Sequence, residues 1–365
     1  MHIIYIHKDR LAKRPPVISA LLILNELGHD VTLFDEEISD HWKSVLQKRE
    51  IRFIETKTTV RKSITSKLLS YYRFQKIVFA ELAARTARGE DFIVWIEGAQ
   101  TIVALGTKLN AYRHILQIQE LHEKSQRQMK AIGKVIHSAE AVFMPEYCRS
   151  ALYRVWFKLE KPPVVLPNKP YFIPTPDELE SYRERYAEHT ALFSKYKVIL
   201  YQGHIHPERD LTAFAEASLR LPKDYKLVLL GHDHGDVARY RNINPDIIHI
   251  DFVPAPYYLM MTSMCHIGIV TYSALELNTT FCAPNKIYEY AGFGKPMIGN
   301  DIPGLQLIKH YRAGILVDER NTHSILNAIE EIEKNYHTYH ENTFSFWDNT
   351  DNKEIIRSVL TSIVQ

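Results

Sequence analysis

Six prolines crowd the segment KPPVVLPNKPYFIPTP, between Pro162 and Pro176, and they constrain this chain more than any other feature. Proline fixes φ and lacks an N–H, so regular structure is interrupted repeatedly in such a stretch. The segment reads as a junction. On both sides of it the sequence keeps one rhythm, a short apolar run, a helical pattern and another apolar run. Apolar strands joined by crossover helices belong to a parallel sheet covered on both faces. A chain of 365 residues exceeds one ordinary core. The expectation is α/β, with a first domain over residues 1–167 and a second over 168–345. Residues 346–365 form a terminal helix returning to the first domain.

The first half opens with a strand at 2–6, a helix at 16–27 stopped by Gly28, and the strand VTLF. Further strands are DFIVWIE (91–97), HILQIQEL (114–121) and AVF (141–143). Past the junction come a helix at 179–188 and then KVILYQG, LTAFAEASLRL, YKLVLLG, IIHI, HIGIV and KPMIG, a strand, a helix and four strands. Ligands of open α/β sheets gather at the C-terminal ends of the strands. The loops that follow these runs are where functional residues are sought.

Charge is divided unevenly. Residues 1–161 hold 26 Lys/Arg against 18 Asp/Glu, net +8, and the remainder holds 19 against 25, net −6. Between Lys57 and Arg88 there are eight basic residues and a single acid, Glu81. Leu68, Leu69, Tyr72, Ile77 and Phe79 are interleaved with those cations. Such a stretch suits an anionic membrane surface, or else an ordinary helix with a solvated basic back. It lacks a nucleic-acid motif, and its aromatics fall at helical rather than stacking-platform spacing. Cys148, Cys265 and Cys282 show no framework or metal spacing, and suit a reducing compartment. With no leader pattern and no run long enough to span a bilayer, the expected location is cytoplasmic, at most peripheral on the inner face of the cell membrane.

The densest signal is CAPNKIYEYAGFGKPMIGNDIPG, residues 282–304. Asn285 and Lys286 stand four and three positions before Glu289, so one helical face carries all three. An ionised carboxylate is acceptor-only and suits paired hydroxyls. The helix N-terminus receives an anion. The plainer alternative is a solvated face. Gly203 and Arg209 follow the first strand of the second half, where glycine admits a phosphate and arginine neutralises it. In GHDHGD, His232, Asp233, His234 and Asp236 are types that also bind divalent ions.

At this point the residues resemble a known family. YQGHIHPERDL, KLVLLG, DFVP, HIGIVTYS and PNKIYEYAGFGKPMIGND are similar to the donor domain of GT-B glycosyltransferases, most closely family 4, the kind that builds capsule and exopolysaccharide. In the first half GHDV, ELHE and VVLPN resemble that family's pattern. The resemblance implies two Rossmann-like domains facing across a cleft. It also implies transfer of a sugar from a nucleoside diphosphate, UDP foremost, to a hydroxyl of a glycan or lipid-linked oligosaccharide, with retained configuration and no metal or other cofactor. Around the donor it places Gly203, His204, Arg209, Gly231, Val253, Asn285, Lys286 and Glu289, with Glu289 on the ribose. Catalytic roles fall on His122, Arg209 and Lys286, and His122 is read as ending the strand 114–121. Asp9, Arg10, Arg14 and Glu97 line the acceptor side. Phe281 stands where the family often has a second glutamate, and His204 where it has an arginine. A sugar-nucleotide epimerase and a non-catalytic partner subunit are the rival readings.

Overall fold

The computed structural model describes residues 1–11, 14–58 and 64–364. The chain divides into two compact units, Met1–Tyr171 with Asp351–Gln365, and Phe172–Thr350.

In the first unit the strands are β1 (His2–His7), β2 (Asp30–Asp35), β3 (Arg52–Glu55), β4 (Phe92–Glu97), β5 (His114–Gln117), β6 (Ala141–Met144) and β7 (Val164–Val165). They form one parallel sheet in the order β3-β2-β1-β4-β5-β6-β7. Between them run α1 (Pro15–Glu26), α2 (Asp40–Lys48), α3 (Ile64–Ala87), α4 (Ala99–Leu105), α5 (Gln126–Gly133) and α6 (Tyr147–Phe157). The central strands are apolar throughout, as burial on both faces demands. Trp95 stacks on Tyr5 and Phe143, with centroids 5.9 and 5.1 Å away. The Trp95 N–H and the Tyr5 hydroxyl both donate to Gln117 Oε1, at 2.8 and 2.9 Å. That shared acceptor lets two polar groups enter the core at little cost.

The second unit repeats the plan. Its helices are α7 (Pro176–Arg185), α8 (Ala187–Lys195), α9 (Thr212–Ser218), α10 (Val237–Ile243), α11 (Leu259–Met264), α12 (Leu277–Thr280), α13 (Asn285–Gly292), α14 (Gln306–His310), α15 (Thr322–Lys334) and α16 (Tyr336–Asp348). Its strands, β8 (Lys197–Gln202), β9 (Tyr225–Leu230), β10 (Ile248–Ile250), β11 (Ile267–Val270), β12 (Met297–Asn300) and β13 (Gly314–Val317), pair in the order β10-β9-β8-β11-β12-β13. In each sheet the first strand of the unit is flanked by strands wound in opposite directions. That is the switch point at which such sheets hold ligands.

Several sequence expectations move. The first part of the proline segment joins the first sheet as β7, because Val164 and Val165 stand between prolines and can pair with β6. The division accordingly follows Tyr171 rather than Pro167. At the other end α16 stays with the second unit, since Phe346 is fully buried beside the rings of Tyr288 and Tyr311. Only α17 (Asn352–Val364) belongs to the first unit, burying Ile356 and Leu360 there. The edge strands β3 and β13 were not anticipated. Strand β5 stops at Gln117, and the chain leaves the ladder after the Ile118 amide, which still donates to the Phe143 carbonyl at 2.9 Å. In the basic stretch, Arg61 and Lys62 lie outside the described residues. No helix among the described residues is long and apolar enough to cross a membrane.

Candidate functional site

The strongest constellation lies at the C-terminal end of β8, in the second unit. Helix α13 is pressed onto the sheet because Gly268 of β11 leaves room for the Tyr290 ring, which a Cβ there would meet at 2.6 Å. The Tyr290 hydroxyl donates to the Leu200 carbonyl at 2.8 Å and fixes the helix. Lys286 and Glu289, on the inner side of α13, are thereby buried. A solvated face is ruled out for both. Asn285, one turn before Glu289, stays half-buried.

Glu289 is held by a network that sequence reading did not find. Its Oε2 accepts from Gln202 Nε2 at 2.5 Å, and its Oε1 accepts from the Tyr258 hydroxyl at 2.6 Å. Thr262 in turn donates to Gln202 Oε1 at 2.8 Å. Burial pushes the Glu289 pKa up, and the Tyr258 bond and the charge of Lys286 pull against it. Each carboxylate oxygen accepts more than one bond, so Glu289 retains acceptor capacity for an incoming hydroxyl.

Lys286 Nζ is buried with no hydrogen-bond partner. It lies 4.6 Å from the centroid of Tyr201 and 5.6 Å from that of Tyr272. Arg209 stacks its guanidinium on the same Tyr272 ring at 4.6 Å. Burial, with the neighbouring Arg209 charge, lowers the Lys286 pKa to about 7. A buried ammonium lacking an anion is costly. Next to it, at Gly203, an added Cβ would come within 3.2 Å of Lys286 Nζ and 3.3 Å of Arg209 Nη1. The two cations converge on the Gly203 backbone, an arrangement that suits an anion.

Gly231 and Gly203 press their backbones together: a Cβ on Gly231 would stand 2.1 Å from the Gly203 carbonyl oxygen. Gly231 thus seats the loop after β9 against the loop after β8, which a bridge between Ile205 and Asp233 continues. On this pair of loops His204 Nδ1 lies 3.0 Å from His234 Nε2. Partial burial and the nearby His234, Arg209, His232 and Lys286 lower the His204 pKa. The Val253 side chain is packed in the core, so only its backbone is free to touch a ligand. In GHDHGD, Asp233 Oδ1 accepts from the amides of Gly235, Asp236 and Val237 and caps the turn into α10. Asp236 pairs with Arg239, and His232 stacks on Phe252. Among the described residues no group of three or more His, Cys, Asp or Glu is arranged to hold a metal ion.

The first-unit candidates fall into two places. His122 does not end a strand; it sits in the loop after β5 with φ +60°. Arg149 and Tyr153 of α6 hold that loop by the carbonyls of Gln119, Glu120 and Leu121. Burial lowers the His122 pKa, and Glu120 opposes the shift. Glu97, the last residue of β4, is buried rather than offered to an acceptor hydroxyl. It lies 3.3 Å from His7 Nε2, while His7 Nδ1 bonds Asp35 at 2.7 Å. Burial opposes charge on His7, but the Asp35 bond and the Glu97 charge outweigh it, and the His7 pKa is raised. Asp9 pairs with Arg14 at 3.5 Å, and Arg10 with Glu37 at 2.9 Å.

Residues 196–335 match the family described as glycosyl transferases group 1. The whole fold is similar to the Anabaena protein HepE, solved in complex with UDP, at TM-score 0.68, 13% identity and full coverage of both chains. It is similar to WaaG, a glycosyltransferase involved in lipopolysaccharide biosynthesis, at TM-score 0.64 and 12% identity over 98% of each chain. The UDP-GlcNAc 2-epimerase from Neisseria meningitidis is also similar, at TM-score 0.64 and 14% identity over 99% of this chain and 100% of that one. No curated protein matches the chain. The family match thus covers residues 196–335 of the second unit, and the whole chain shares the fold of these solved structures.

Proposed function

We propose that the chain transfers a sugar from a nucleoside-diphosphate sugar, with UDP as the first candidate nucleotide, to a hydroxyl of a glycan or lipid-linked oligosaccharide. The observation that carries this reading is the buried, unpartnered Lys286 beside Arg209 and Gly203. Those two cations stabilise the charge that develops on the departing diphosphate, and Glu289 accepts a ribose hydroxyl. HepE is solved with UDP and with UDP-glucose, which supports testing uridine first.

Retention is proposed from the resemblance of the donor-site residues to family 4 of the GT-B glycosyltransferases; Glu289, with Gln202 and Tyr258 on its two oxygens, is held for a hydroxyl rather than as a nucleophile. The acceptor hydroxyl then attacks from the face that the diphosphate leaves, and a diphosphate oxygen takes its proton. The glycosidic bond to that diphosphate breaks as the new one forms. The epimerase shares the fold, so the decision falls to chemistry. Titration of UDP, GDP and ADP, followed by incubation of the preferred nucleotide's sugars with glycan acceptors, tests the reading. Transfer with release of the nucleoside diphosphate supports it. Interconversion of the sugar nucleotide without any acceptor would overturn it.

A further inference from the structure

The loops after β8 and β9 carry a pattern of which the donor reading uses a single residue. Each holds a His-x-His step, His204-Ile205-His206 in the first and His232-Asp233-His234 in the second. The bridge between Ile205 and Asp233 is parallel. It is closed by the Ile205 N–H on the His232 carbonyl at 2.9 Å and the His234 N–H on the Ile205 carbonyl at 3.0 Å. Side chains alternate along paired extended segments, so the residues flanking the bridge share one side. The rings gather accordingly. His204 lies 5.2 Å from His234 and 6.0 Å from His232, centroid to centroid, and His206 lies 5.4 Å from His234.

Within this face His204 Nδ1 stands 3.0 Å from His234 Nε2. Two ring nitrogens that close need a proton between them, so one ring donates and the other accepts. Two neutral rings joined in this way keep one free N–H and one nitrogen with a free lone pair. The acids nearby are engaged elsewhere. Asp251 faces His232 at 3.3 Å, Asp233 caps the turn into α10, and Asp236 pairs with Arg239. His206 Nδ1 accepts from the Glu208 amide at 3.3 Å, and His249 bonds the Gly231 carbonyl at 2.9 Å. Partial burial lowers the His204 pKa, and the charges of His234, Arg209, His232 and Lys286 lower it further. An imidazole among cations holds its proton weakly, and an anion brought beside it reverses that.

We propose that His234 is a positioning residue for the donor: it holds His204 through their shared proton, and the pair takes up a further proton when the diphosphate of a sugar nucleotide arrives. The step is a protonation alone. A solvent proton adds to the ring nitrogen with the free lone pair, and no bond of the donor breaks. A fixed cation at position 204 would meet a diphosphate equally at any pH, whereas an imidazole pair meets it more strongly in acid. Donor affinity therefore carries a step below neutral pH. It is separate from the step of Lys286, whose amine is charged well below its pKa of about 7. The inference rests on the donor reading of this unit.

UDP-glucose is the first probe, because its diphosphate is esterified at both ends and lacks the ionisation near about pH 6 of a terminal phosphate. Its affinity for the wild type should rise on the order of tenfold as pH falls from about 7 to about 5.5, with proton uptake in the calorimeter. His234→Gln keeps a hydrogen-bonding group beside His204 but cannot titrate, and should lose most of that rise. His204→Arg should show no step and should bind several-fold more tightly than the wild type at about pH 7.5. Both positions are exposed, so both variants should keep the wild-type thermal transition. A wild-type profile without a step would overturn the proposal, and so would an undiminished rise in His234→Gln. Pyrophosphate, which brings the anion without a nucleoside, is the second probe, with wild type and variant compared so that its own ionisation cancels. A step that depends on His234 with pyrophosphate, where UDP-glucose fails to bind, would keep the imidazole pair and overturn the uridine donor. Tight UDP-glucose binding indifferent to His234 would overturn the pair and leave the donor reading standing. Binding of neither anion would overturn both.

Discussion

Arg209 and Lys286 aim their terminal nitrogens at one point, 3.3 and 3.2 Å from where a side chain on Gly203 would begin. Two cations brought together in a buried recess repel each other, and here one responds by giving up part of its proton affinity. The arrangement is unfavourable without a ligand and favourable with a dianion. Folding free energy is thereby held in reserve for binding.

The first prediction follows from that reserve. Burial favours the neutral form of Lys286, so its folded pKa, about 7, lies below the unfolded lysine value. Between those two values the unfolded chain binds more protons, and stability rises with pH. A bound diphosphate reverses the preference and recharges the amine. Calorimetry at about pH 8, where a terminal phosphate is fully ionised, should show close to one proton taken up with UDP, and affinity should fall as pH rises through that range. Lys286→Met should abolish the uptake and weaken UDP binding, while raising stability below neutral pH by on the order of 1 kcal/mol. Heats of binding that do not depend on the buffer would refute the linkage.

Glu289 carries the second. Glu289→Gln replaces an acceptor with an amide, whose NH2 must face Gln202 or Tyr258, both donors to the carboxylate. UDP affinity should fall by about 1–3 kcal/mol. Tyr258→Phe removes one support but keeps the charge, and should cost less, about 1 kcal/mol. Titrations of the three proteins give the order directly. An unchanged affinity in Glu289→Gln would remove this carboxylate from the site.

Much of this was legible in the sequence, for a physical reason. Parallel strands buried on both faces are written as apolar runs, so the central strands β1, β4, β8, β9 and β11 are visible in one dimension. Lys286 and Glu289 sit on one short helix and share a face by spacing alone. Gln202 ends β8, whereas Tyr258 and Thr262 stand one turn apart at α11, and the two places meet only through tertiary folding. The sequence hint for Gln202 is a polar residue closing an apolar strand. His7, Asp35 and Glu97 end three different strands, and their meeting depends on strand order, which periodicity does not encode. The reading of His122 as ending a strand rests on the alternation in HILQIQEL, where Ile118 and Leu121 carry the apolar pattern past Gln117. Arg149 and Tyr153 take the following carbonyls out of the ladder, and no local signal marks that.

Metal independence is the third prediction. In the proposed site Arg209 and Lys286 supply the positive charge for the departing diphosphate, and Asp233 spends Oδ1 on three amides. Transfer rates should therefore survive excess chelator. A rate lost to chelator and restored by magnesium or manganese would require an ion between the phosphates.

The last prediction concerns α17 and the path of the C-terminus. Ile356 is fully buried in the core of the first unit, beside Leu360. Lys353 bonds Glu26 of α1 at 2.5 Å, and Asn352 Nδ2 donates to the Pro167 carbonyl at 2.8 Å. Ile356→Ala leaves a cavity in that core and should cost about 2–4 kcal/mol. The loss belongs to the first unit, whereas the proposed donor site lies in the second. Thermal unfolding should show an earlier transition, and UDP affinity at temperatures below it should stay at the wild-type value. Phe346→Ala on α16 makes the opposite case, since its ring packs against Tyr288 of the donor helix. That change should weaken UDP binding together with stability. If Ile356→Ala lowered UDP affinity as much as Phe346→Ala does, α17 would have to support the donor unit, and the division after Thr350 would be wrong.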